Sequence, residues 1–322
     1  MRRRGFLRLG ASAGALLLGG AGLSGVARAL LPSDVIDAAA FHRMRRFAAT
    51  RFGRVAYVER GSGPAALFFH GYPLNGFQWR GALERLSPHR RCIAPDFIGL
   101  GYSEAAADQD LSPRTQAELM AALLDALSID SVDIVCNDSG GTVAQLFMAL
   151  HPERVRTALF TTCDVPQNNP PPSFLPVINA ARGGVLEQFF LRPALAAPSA
   201  ARAPTSLGGA YTDPAHLTDE CVETYLRPLV ATPVRIAQFH AYTVALEPNV
   251  LLGAVPALQR CRAPARIVWS GRSPGFPVEG AQWLDRNLPG SRGVRVVPEA
   301  ALFFPEEMPD LIAEEAVRLW AG

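Results

Sequence analysis

The pattern of apolar and polar positions predicts strands that alternate with helices along most of the chain. Short apolar runs typical of buried strands lie at residues 65–69, 91–94, 155–163, 265–269 and 294–297, and two antiparallel strands are expected before them at residues 43–50 and 54–60. Helical spacing is clearest after Ser112-Pro113, where Leu119, Leu123 and Leu124 recur on one face. This alternation predicts a mostly parallel sheet with crossover helices.

The alternation is interrupted once. From residue 165 to residue 264, prolines and short helical pieces replace the strands, and the alternation then resumes. We therefore expect one α/β domain built from residues 30–164 and 265–322, with residues 165–264 as an inserted cap.

The stretch of residues 132–145 is the one around which the chemistry is organised. An apolar strand runs into a tight turn, and a helix begins at Gly140-Gly141. This is the strand–turn–helix context of a nucleophile elbow. Counting back from the glycine pair places Asp138 at the lifted position, whereas counting from Gly141 alone places Ser139 there. We favour Asp138, whose alternative role is to cap the following helix.

Composition limits the chemistry. The chain has 322 residues, of which 49% are hydrophobic, enough for one large α/β domain. All 31 basic residues are arginine, which excludes a lysine base and Schiff-base chemistry. The five cysteines are an odd number for a disulfide framework. We expect buried free thiols at Cys92, Cys136 and Cys163, and leave a bridge between Cys221 and Cys261 open.

Spacing and charge give no reason to expect other molecules besides a small substrate. The Cys and His residues lack metal-site spacing, and nothing in the charge pattern favours nucleic-acid binding. We expect no cofactor, no metal and no nucleic-acid partner.

The first 29 residues have the pattern of a bacterial export signal. Arg3-Arg4 precede a Gly/Ala/Leu-rich run, and residues 27–29 (Ala-Arg-Ala) fit a small-x-small cleavage site. Removing residues 1–29 takes away five of the 31 basic residues and none of the 29 acidic ones. We expect a twin-arginine signal peptide that engages the export machinery, and a mature protein in the periplasm or outside the cell. An uncleaved membrane anchor is the alternative.

Four motifs together resemble those of the α/β-hydrolase family. They are His70-Gly71-x-Pro73, Pro95-Asp96-x-x-Gly99-x-Gly101-x-Ser103, the elbow at Asp138, and His151-Pro152-Glu153-Arg154. With aspartate at the elbow, the chain is most similar to haloalkane dehalogenases and epoxide hydrolases. The resemblance covers nearly all of the chain after the signal. It implies the α/β-hydrolase fold, a mostly parallel sheet flanked by helices, with an inserted helical cap.

The resemblance also implies an oxyanion hole. In this family the loop after His-Gly and the residue after the nucleophile each supply one backbone amide, here those of Tyr72 and Ser139. His70 is expected to organise its loop by a hydrogen bond. A carboxylate nucleophile at Asp138 suits displacement at carbon, forming an ester that an activated water must hydrolyse. A serine there would suit acyl transfer.

Two positions of the family's triad hold residues that cannot perform its chemistry. Matching residues 305–307 (Pro-Glu-Glu) to the family pattern puts Leu302 where the histidine belongs. Ser273 stands where the acid after the seventh strand belongs. The relay implied by the resemblance is therefore incomplete.

Several residues are candidate substitutes. Asp164 follows the sixth strand, where some family members carry the acid, although it also suits turn formation. His240 in the cap can reach over Asp138, although packing is its alternative role. Glu299 and Glu306 are candidate carboxylate bases, and Glu306 also suits the start of the last helix, which is expected near Pro305 to Trp320.

The expected substrate contacts are Trp79, Asn168 and His240, and core packing is an equal alternative for Trp79. Dehalogenases usually carry Trp after the nucleophile and Asn after His-Gly. Ser139 and Tyr72 stand at those positions, which argues against a haloalkane. Epoxide hydrolases protonate the opening ring with cap tyrosines, for which the candidates are Tyr211, Tyr225 and Tyr242.

The sequence thus predicts an exported hydrolase of a small apolar epoxide, alkyl halide or ester, with Asp138 and Asp164 as catalytic residues. The competing hypothesis is a non-hydrolytic ligand-binding or lyase-like protein that has lost the triad histidine and acid. The sequence leaves the oligomeric state open.

Overall fold

A mostly parallel sheet of eight strands forms the centre of the computed structural model, which describes residues 36–322. The predicted export signal lies outside the described residues. The strands are β1 Arg46–Thr50, β2 Gly53–Arg60, β3 Ala65–Phe69, β4 Arg91–Pro95, β5 Val132–Asp138, β6 Val155–Cys163, β7 Ala265–Ser270 and β8 Ser291–Val297. Their order across the sheet is β1-β2-β4-β3-β5-β6-β7-β8. Only the β1–β2 and β2–β4 pairs are antiparallel, so the predicted sheet type is confirmed.

Helices cover the sheet, and every residue of β3 and β5 is buried, as expected for strands enclosed on both faces. The α-helices are α1 Ala38–Met44, α2 Arg80–Leu86, α3 Pro113–Ala126, α4 Ser139–Leu150, α5 Leu175–Arg182, α6 Arg192–Ala196, α7 Pro198–Ala201, α8 Asp219–Leu226, α9 Pro233–Ala245, α10 Val255–Leu258, α11 Val278–Asn287, α12 Phe304–Glu307 and α13 Pro309–Trp320. In this part of the chain no helix is both long and apolar enough to cross a membrane.

Local signals explain where several elements begin. The Ser112 hydroxyl accepts a hydrogen bond from the Thr115 amide, and Pro113 occupies the first helical position of α3, as the sequence predicts. The expected strand at residues 43–50 begins three residues late. Its first two residues belong to α1, which is capped by the Asp37 side chain.

The single helix expected from Pro305 to Trp320 is divided. Helix α12 ends at Glu307, and α13 starts at Pro309. Proline has no amide hydrogen to donate to the preceding turn and disfavours helical backbone at the residue before it. The break at Met308 follows from these two properties.

The segment between β6 and β7 contains α5 to α10, a π-helix at Glu187–Leu191 and 3₁₀ turns. One buried carboxylate joins this segment to the sheet-bearing part. Glu306 accepts hydrogen bonds from Arg80 on α2, and from the hydroxyls of Tyr211 and Tyr225, both at 2.8 Å. Glu306 lies in the first turn of α12, as expected, and a role as base stays a prediction.

All five cysteines are buried and free. The expectation is confirmed for Cys92, Cys136 and Cys163, and the open bridge between Cys221 and Cys261 is not formed.

Gly140 marks the closest approach of α4 to β3. A Cβ at this position would lie 2.5 Å from the carbonyl oxygen of Phe69, so backbone must move to admit it. We expect Gly140→Ala to lower the free energy of unfolding by about 1–3 kcal/mol, measured by urea denaturation. Gly253→Ala is the matched control because nothing lies within 4 Å of a Cβ there. Equal stability of the two variants would contradict the close approach.

Candidate active site

Asp138 occupies the sharp bend between β5 and α4. Its backbone has φ 53° and ψ −131°, a region that non-glycine residues rarely adopt. Asp138 precedes α4, but its side chain makes none of the capping hydrogen bonds that an N-cap residue makes to the second or third amide of a helix. Ser139 is the first residue of the helix. The residue at the apex of the elbow is therefore Asp138.

Two backbone amides hold this carboxylate. The Tyr72 amide donates to Asp138 Oδ2 at 2.9 Å, and the Ser139 amide also donates to the carboxylate. Among the described residues, no side chain hydrogen-bonds it. Gly71 makes the approach possible, since a Cβ there would lie 2.9 Å from Asp138 Oδ2. The two amides expected to form an oxyanion hole thus meet at Asp138.

His70 organises the loop that carries Tyr72. Its Nε2 accepts a hydrogen bond from the Phe97 amide at 3.0 Å, and its Nδ1 donates to the Gly71 carbonyl at 2.9 Å. Burial lowers the pKa of His70, so the ring is held neutral with both nitrogens occupied. The expected loop-organising role is confirmed.

Asp164 lies beside Asp138 because their strands are neighbours. Asp138 is the Cα partner of Cys163 in the β5–β6 ladder, and Asp164 follows directly. Thr142 on α4 donates to Asp164 Oδ2 at 3.0 Å, and the Gln145 side chain donates to the Asp164 carbonyl at 2.8 Å. Asp164 is only 5% exposed, and its Oδ1 has no hydrogen-bond partner among the described residues.

The two carboxyl groups have different affinities for protons. Burial, and then the charge of Asp164, raise the pKa of Asp138 to about 8, although the two backbone amides oppose this rise. Burial raises the pKa of Asp164 to about 6, opposed by Thr142 and Asn169. At neutral pH the pair therefore holds its negative charge on Asp164 and its proton on Asp138.

Aromatic rings cover the loop above Asp138. The Tyr72 ring stacks on Phe239 and Tyr242 of α9, with ring centroids 5.7 and 6.2 Å apart, and meets Phe174 edge-on at 5.2 Å. The Tyr72 hydroxyl hydrogen-bonds Thr243 Oγ1 at 3.0 Å. The segment between β6 and β7 thus supplies an apolar cover for the elbow.

Tyr242 is the cap tyrosine at the elbow. Burial raises the pKa of its phenol, the neighbouring Ser139 side chain opposes that rise, and Asp138 and Asp164 add to it. The phenol therefore stays protonated and can donate to an oxygen near Asp138. Tyr211 and Tyr225 are not available for this, because both donate to Glu306.

The three expected substrate contacts lie apart from these groups. Trp79 is fully buried and packs on Phe68 of the sheet, with ring centroids 5.6 Å apart. His240 pairs with Glu187, its Nε2 lying 2.9 Å from the carboxylate oxygen. None of the contacts described for Trp79 or His240 reaches Asp138, so a substrate role for either stays a prediction.

Asn168 lines a cavity of about 300 Å³ beside the ends of β6 and β7. Its side chain donates to the Gly275 carbonyl at 2.7 Å. Two tryptophans, Trp269 and Trp283, also line this cavity. Asn168 thus ties two loops together at the cavity wall.

Among the described residues, the structure supplies no histidine or acid at the two incomplete positions of the triad. The Leu302 carbonyl accepts a hydrogen bond from Asn137 at 3.0 Å, and Ser273 accepts one from Ser270 at 2.7 Å. Within the described part of the chain, no histidine hydrogen-bonds Asp138 or Asp164. The same residues contain no group of three or more His, Cys, Asp or Glu side chains arranged to hold a metal.

Sequence reasoning missed the residues that surround the two carboxylates. Thr142 lies four residues after Asp138, one helical turn into α4, and Phe239 lies three residues before Tyr242 on one face of α9. Those spacings could have singled them out. Only the packing of α9 against the Tyr72 loop shows which face of α9 lies at the elbow.

The raised pKa of Asp138 predicts a pH-dependent stability. The unfolded carboxyl ionises near its ordinary value of 3.8, whereas the folded one ionises near 8. The stability that the protonated folded form confers is complete at low pH and is lost as pH rises to about 8. The expected slope reaches about 1.4 kcal/mol per pH unit. Thermal unfolding from pH 4 to 8 measures it; an equal slope in Asp138→Asn would contradict the assignment.

Comparison with known proteins identifies the family to which this fold belongs. Residues 64–307 match the family model for the alpha/beta hydrolase fold. A haloalkane dehalogenase of Mesorhizobium japonicum is 41% identical over 102 residues, which cover 31% of this chain and 33% of that protein. An epoxide hydrolase of Caballeronia sordidicola is 40% identical over 101 residues, 31% of each chain. The chain spans about a third of the length of the curated relatives it matches.

Solved structures share the whole architecture. An alpha/beta hydrolase fold protein from Burkholderia ambifaria superposes with a TM-score of 0.73 at 22% identity, covering 85% of this chain and 97% of that one. The haloalkane dehalogenase DatA from Agrobacterium tumefaciens C58 gives a TM-score of 0.68 at 23% identity, covering 85% and 96%. Together with the family model, which spans most of the sequence, these matches show that the chain belongs to the α/β-hydrolase fold family.

Proposed function

We propose that the protein hydrolyses a small apolar electrophile, an epoxide in the first place, with Asp138 as the nucleophile. One observation carries the proposal. Asp138 stands at the strained elbow, where two backbone amides hold its carboxylate and no described side chain hydrogen-bonds it.

The arrangement supports a covalent first step. Asp138 Oδ1 attacks an epoxide carbon, the carbon–oxygen bond of the ring breaks, and the departing oxygen takes the phenol proton of Tyr242. Oδ2 becomes the carbonyl oxygen of the new ester. It stays on the amides of Tyr72 and Ser139, which stabilise the oxyanion formed when water attacks that ester.

Several facts favour an epoxide over the other substrates. Ser139 and Tyr72 stand where dehalogenases usually carry the residues that cradle a halide. A protonated phenol at the elbow serves a ring oxygen, which needs a proton, better than a halide, which does not. An epoxide hydrolase is among the matched relatives, and this supports the proposal without deciding the substrate.

A second candidate is a non-hydrolytic binding protein or lyase-like enzyme. It is favoured because no histidine among the described residues hydrogen-bonds Asp138, and because Leu302 stands at the position of the usual base. Such a protein would hold its ligand in the same apolar site without adding water to it.

A single-turnover reaction in heavy-oxygen water separates these candidates. The protein in excess is mixed with a small aliphatic or aryl epoxide, and the elbow peptide and the product are analysed by mass spectrometry. We expect the heavy oxygen in the Asp138 carboxyl, since water attacks the ester carbonyl. Label in the diol alone would contradict a covalent step, and unchanged epoxide would favour the second candidate.

Export belongs to the same proposal. It is supported by the arginine pair at Arg3-Arg4 and the small-x-small site at residues 27–29. We propose that the mature protein acts in the periplasm or outside the cell.

A further inference from the structure

An ester on Asp138 is hydrolysed only if some group activates water. This step rests on the proposed function. The family's histidine position holds Leu302, and His70 has both ring nitrogens occupied. His240, the other histidine considered for this role, pairs with Glu187. The base must therefore be another group close to Asp138.

We propose that Asp164 is this base and takes the proton directly from the water that attacks the Asp138 ester. The geometry carries the proposal. The pairing of β5 with β6 places Asp164 directly after Cys163, the Cα partner of Asp138, and the charge of Asp164 acts on the Asp138 carboxyl.

The hydrogen bonding of Asp164 leaves one carboxylate oxygen available to bind the attacking water. Thr142 fixes Oδ2 at 3.0 Å, whereas Oδ1 is buried and has no partner in the described part of the chain. A buried carboxylate oxygen without a partner is costly, and such atoms often mark a catalytic role or a water site. A water bound to Oδ1 satisfies that oxygen and supplies the attacking group.

The step balances without any further reactant. Asp164 accepts a proton from water as the water oxygen bonds to Cγ of Asp138. The negative charge moves to Oδ2, which the Tyr72 and Ser139 amides stabilise. The intermediate collapses, the Cγ–Oδ1 bond breaks, and the leaving alkoxide takes the proton from Asp164. One water is consumed and one alcohol group is formed. The second water proton stays on the Asp138 carboxyl, from which it returns to the Tyr242 phenolate left by the first step.

The protonation states fit this order of events. With a pKa of about 6, Asp164 is ionised at neutral pH and can accept a proton. Its charge raises the pKa of Asp138 and so slows the first step, which needs Asp138 ionised. Once the ester has formed, Asp138 carries no charge. The same carboxylate thus hinders alkylation and promotes hydrolysis.

Asp164→Asn tests the inference, since it should change the two steps in opposite directions. With an epoxide that the wild type turns over, the variant should accumulate the ester on Asp138 and hydrolyse it at least about 100-fold more slowly. Alkylation at pH 6.5 should be several-fold faster, because removing the Asp164 charge lowers the pKa of Asp138. Rapid mixing followed by intact-protein mass spectrometry measures both rates. A misfolded variant would lose both alkylation and ester hydrolysis, so faster alkylation shows that the variant is folded.

Thr142→Val is the matched positioning variant. Valine keeps the shape but removes the hydrogen bond to Asp164 Oδ2, so the pKa of Asp164 should rise. The rate of ester hydrolysis, which increases with pH as Asp164 ionises, should then reach its half-maximum at a higher pH than in the wild type. An unchanged pH profile would contradict a base at Asp164.

Failure of the role proposed for Asp164 can be distinguished from failure of the proposed function. Ester hydrolysis at the wild-type rate in Asp164→Asn would overturn the role of Asp164 and leave Asp138 as nucleophile. Loss of alkylation and hydrolysis together in a folded variant would also overturn it. Absence of an ester in both proteins would overturn the proposed function itself.

Discussion

Replacing Asp138 with asparagine should lower turnover by about 10⁴-fold or more, and no ester should form. Removing a nucleophile commonly costs this much, because what remains is binding and charge stabilisation. The Asn side-chain oxygen can still accept from the Tyr72 and Ser139 amides, which donate to the carboxylate in the wild type. The variant should therefore fold. Initial rates with an accepted epoxide, with intact-protein mass spectrometry, measure the effect.

The matched control for this prediction is Ser139→Ala, which removes the hydroxyl of the alternative nucleophile and keeps the backbone amide. We expect Ser139→Ala to form the ester and turn over substrate. The reverse pattern, with activity kept in Asp138→Asn and lost in Ser139→Ala, would assign the chemistry to the serine.

Replacing Glu306 with alanine should lower the free energy of unfolding by about 3–5 kcal/mol. The Glu306 side chain is almost fully buried, and it pairs with Arg80, whose side chain is 13% exposed. Its loss leaves a buried guanidinium without its carboxylate and frees the hydroxyls of Tyr211 and Tyr225. Because Glu306 lies on α12 and Tyr225 on α8, the cap should loosen as well. Urea denaturation measures the change.

Tyr225→Phe is the graded control for the Glu306 network. It removes one neutral donor to the carboxylate and keeps the ion pair with Arg80, so the expected cost is about 1 kcal/mol. If Glu306→Ala were no more costly than Tyr225→Phe, the buried ion pair would not hold the cap to the sheet.

The strands were predictable from sequence because their signal is local. β3 is apolar at every position, and β5 has an apolar run at Ile134, Val135 and Cys136, as strands covered on both faces require. The start of α3 was predictable because Ser112 and Pro113 act within one helical turn. The break between α12 and α13 has an equally local cause in Pro309, and the apolar pattern concealed it.

Side-chain roles were harder to predict than elements. Glu306 follows a proline at a helix start, and this local position does not indicate its hydrogen-bond partners on α2 and in the segment between β6 and β7. Trp79 packs on Phe68 inside the molecule, although an aromatic residue after the His-Gly loop suits a cavity wall equally well. Both cases depend on contacts between residues far apart in sequence.

The sequence by itself determined the order of strands and helices, and it put an acidic residue at the elbow. The physical reason is that apolar periodicity and the glycine pair at the start of a helix are properties of a few neighbouring residues. Only the tertiary structure decided what surrounds Asp138. The pairing of β5 with β6 brings Asp164 beside it, and the packing of α9 brings Tyr242. Burial of these groups together, which no local pattern encodes, sets which carboxyl carries the proton.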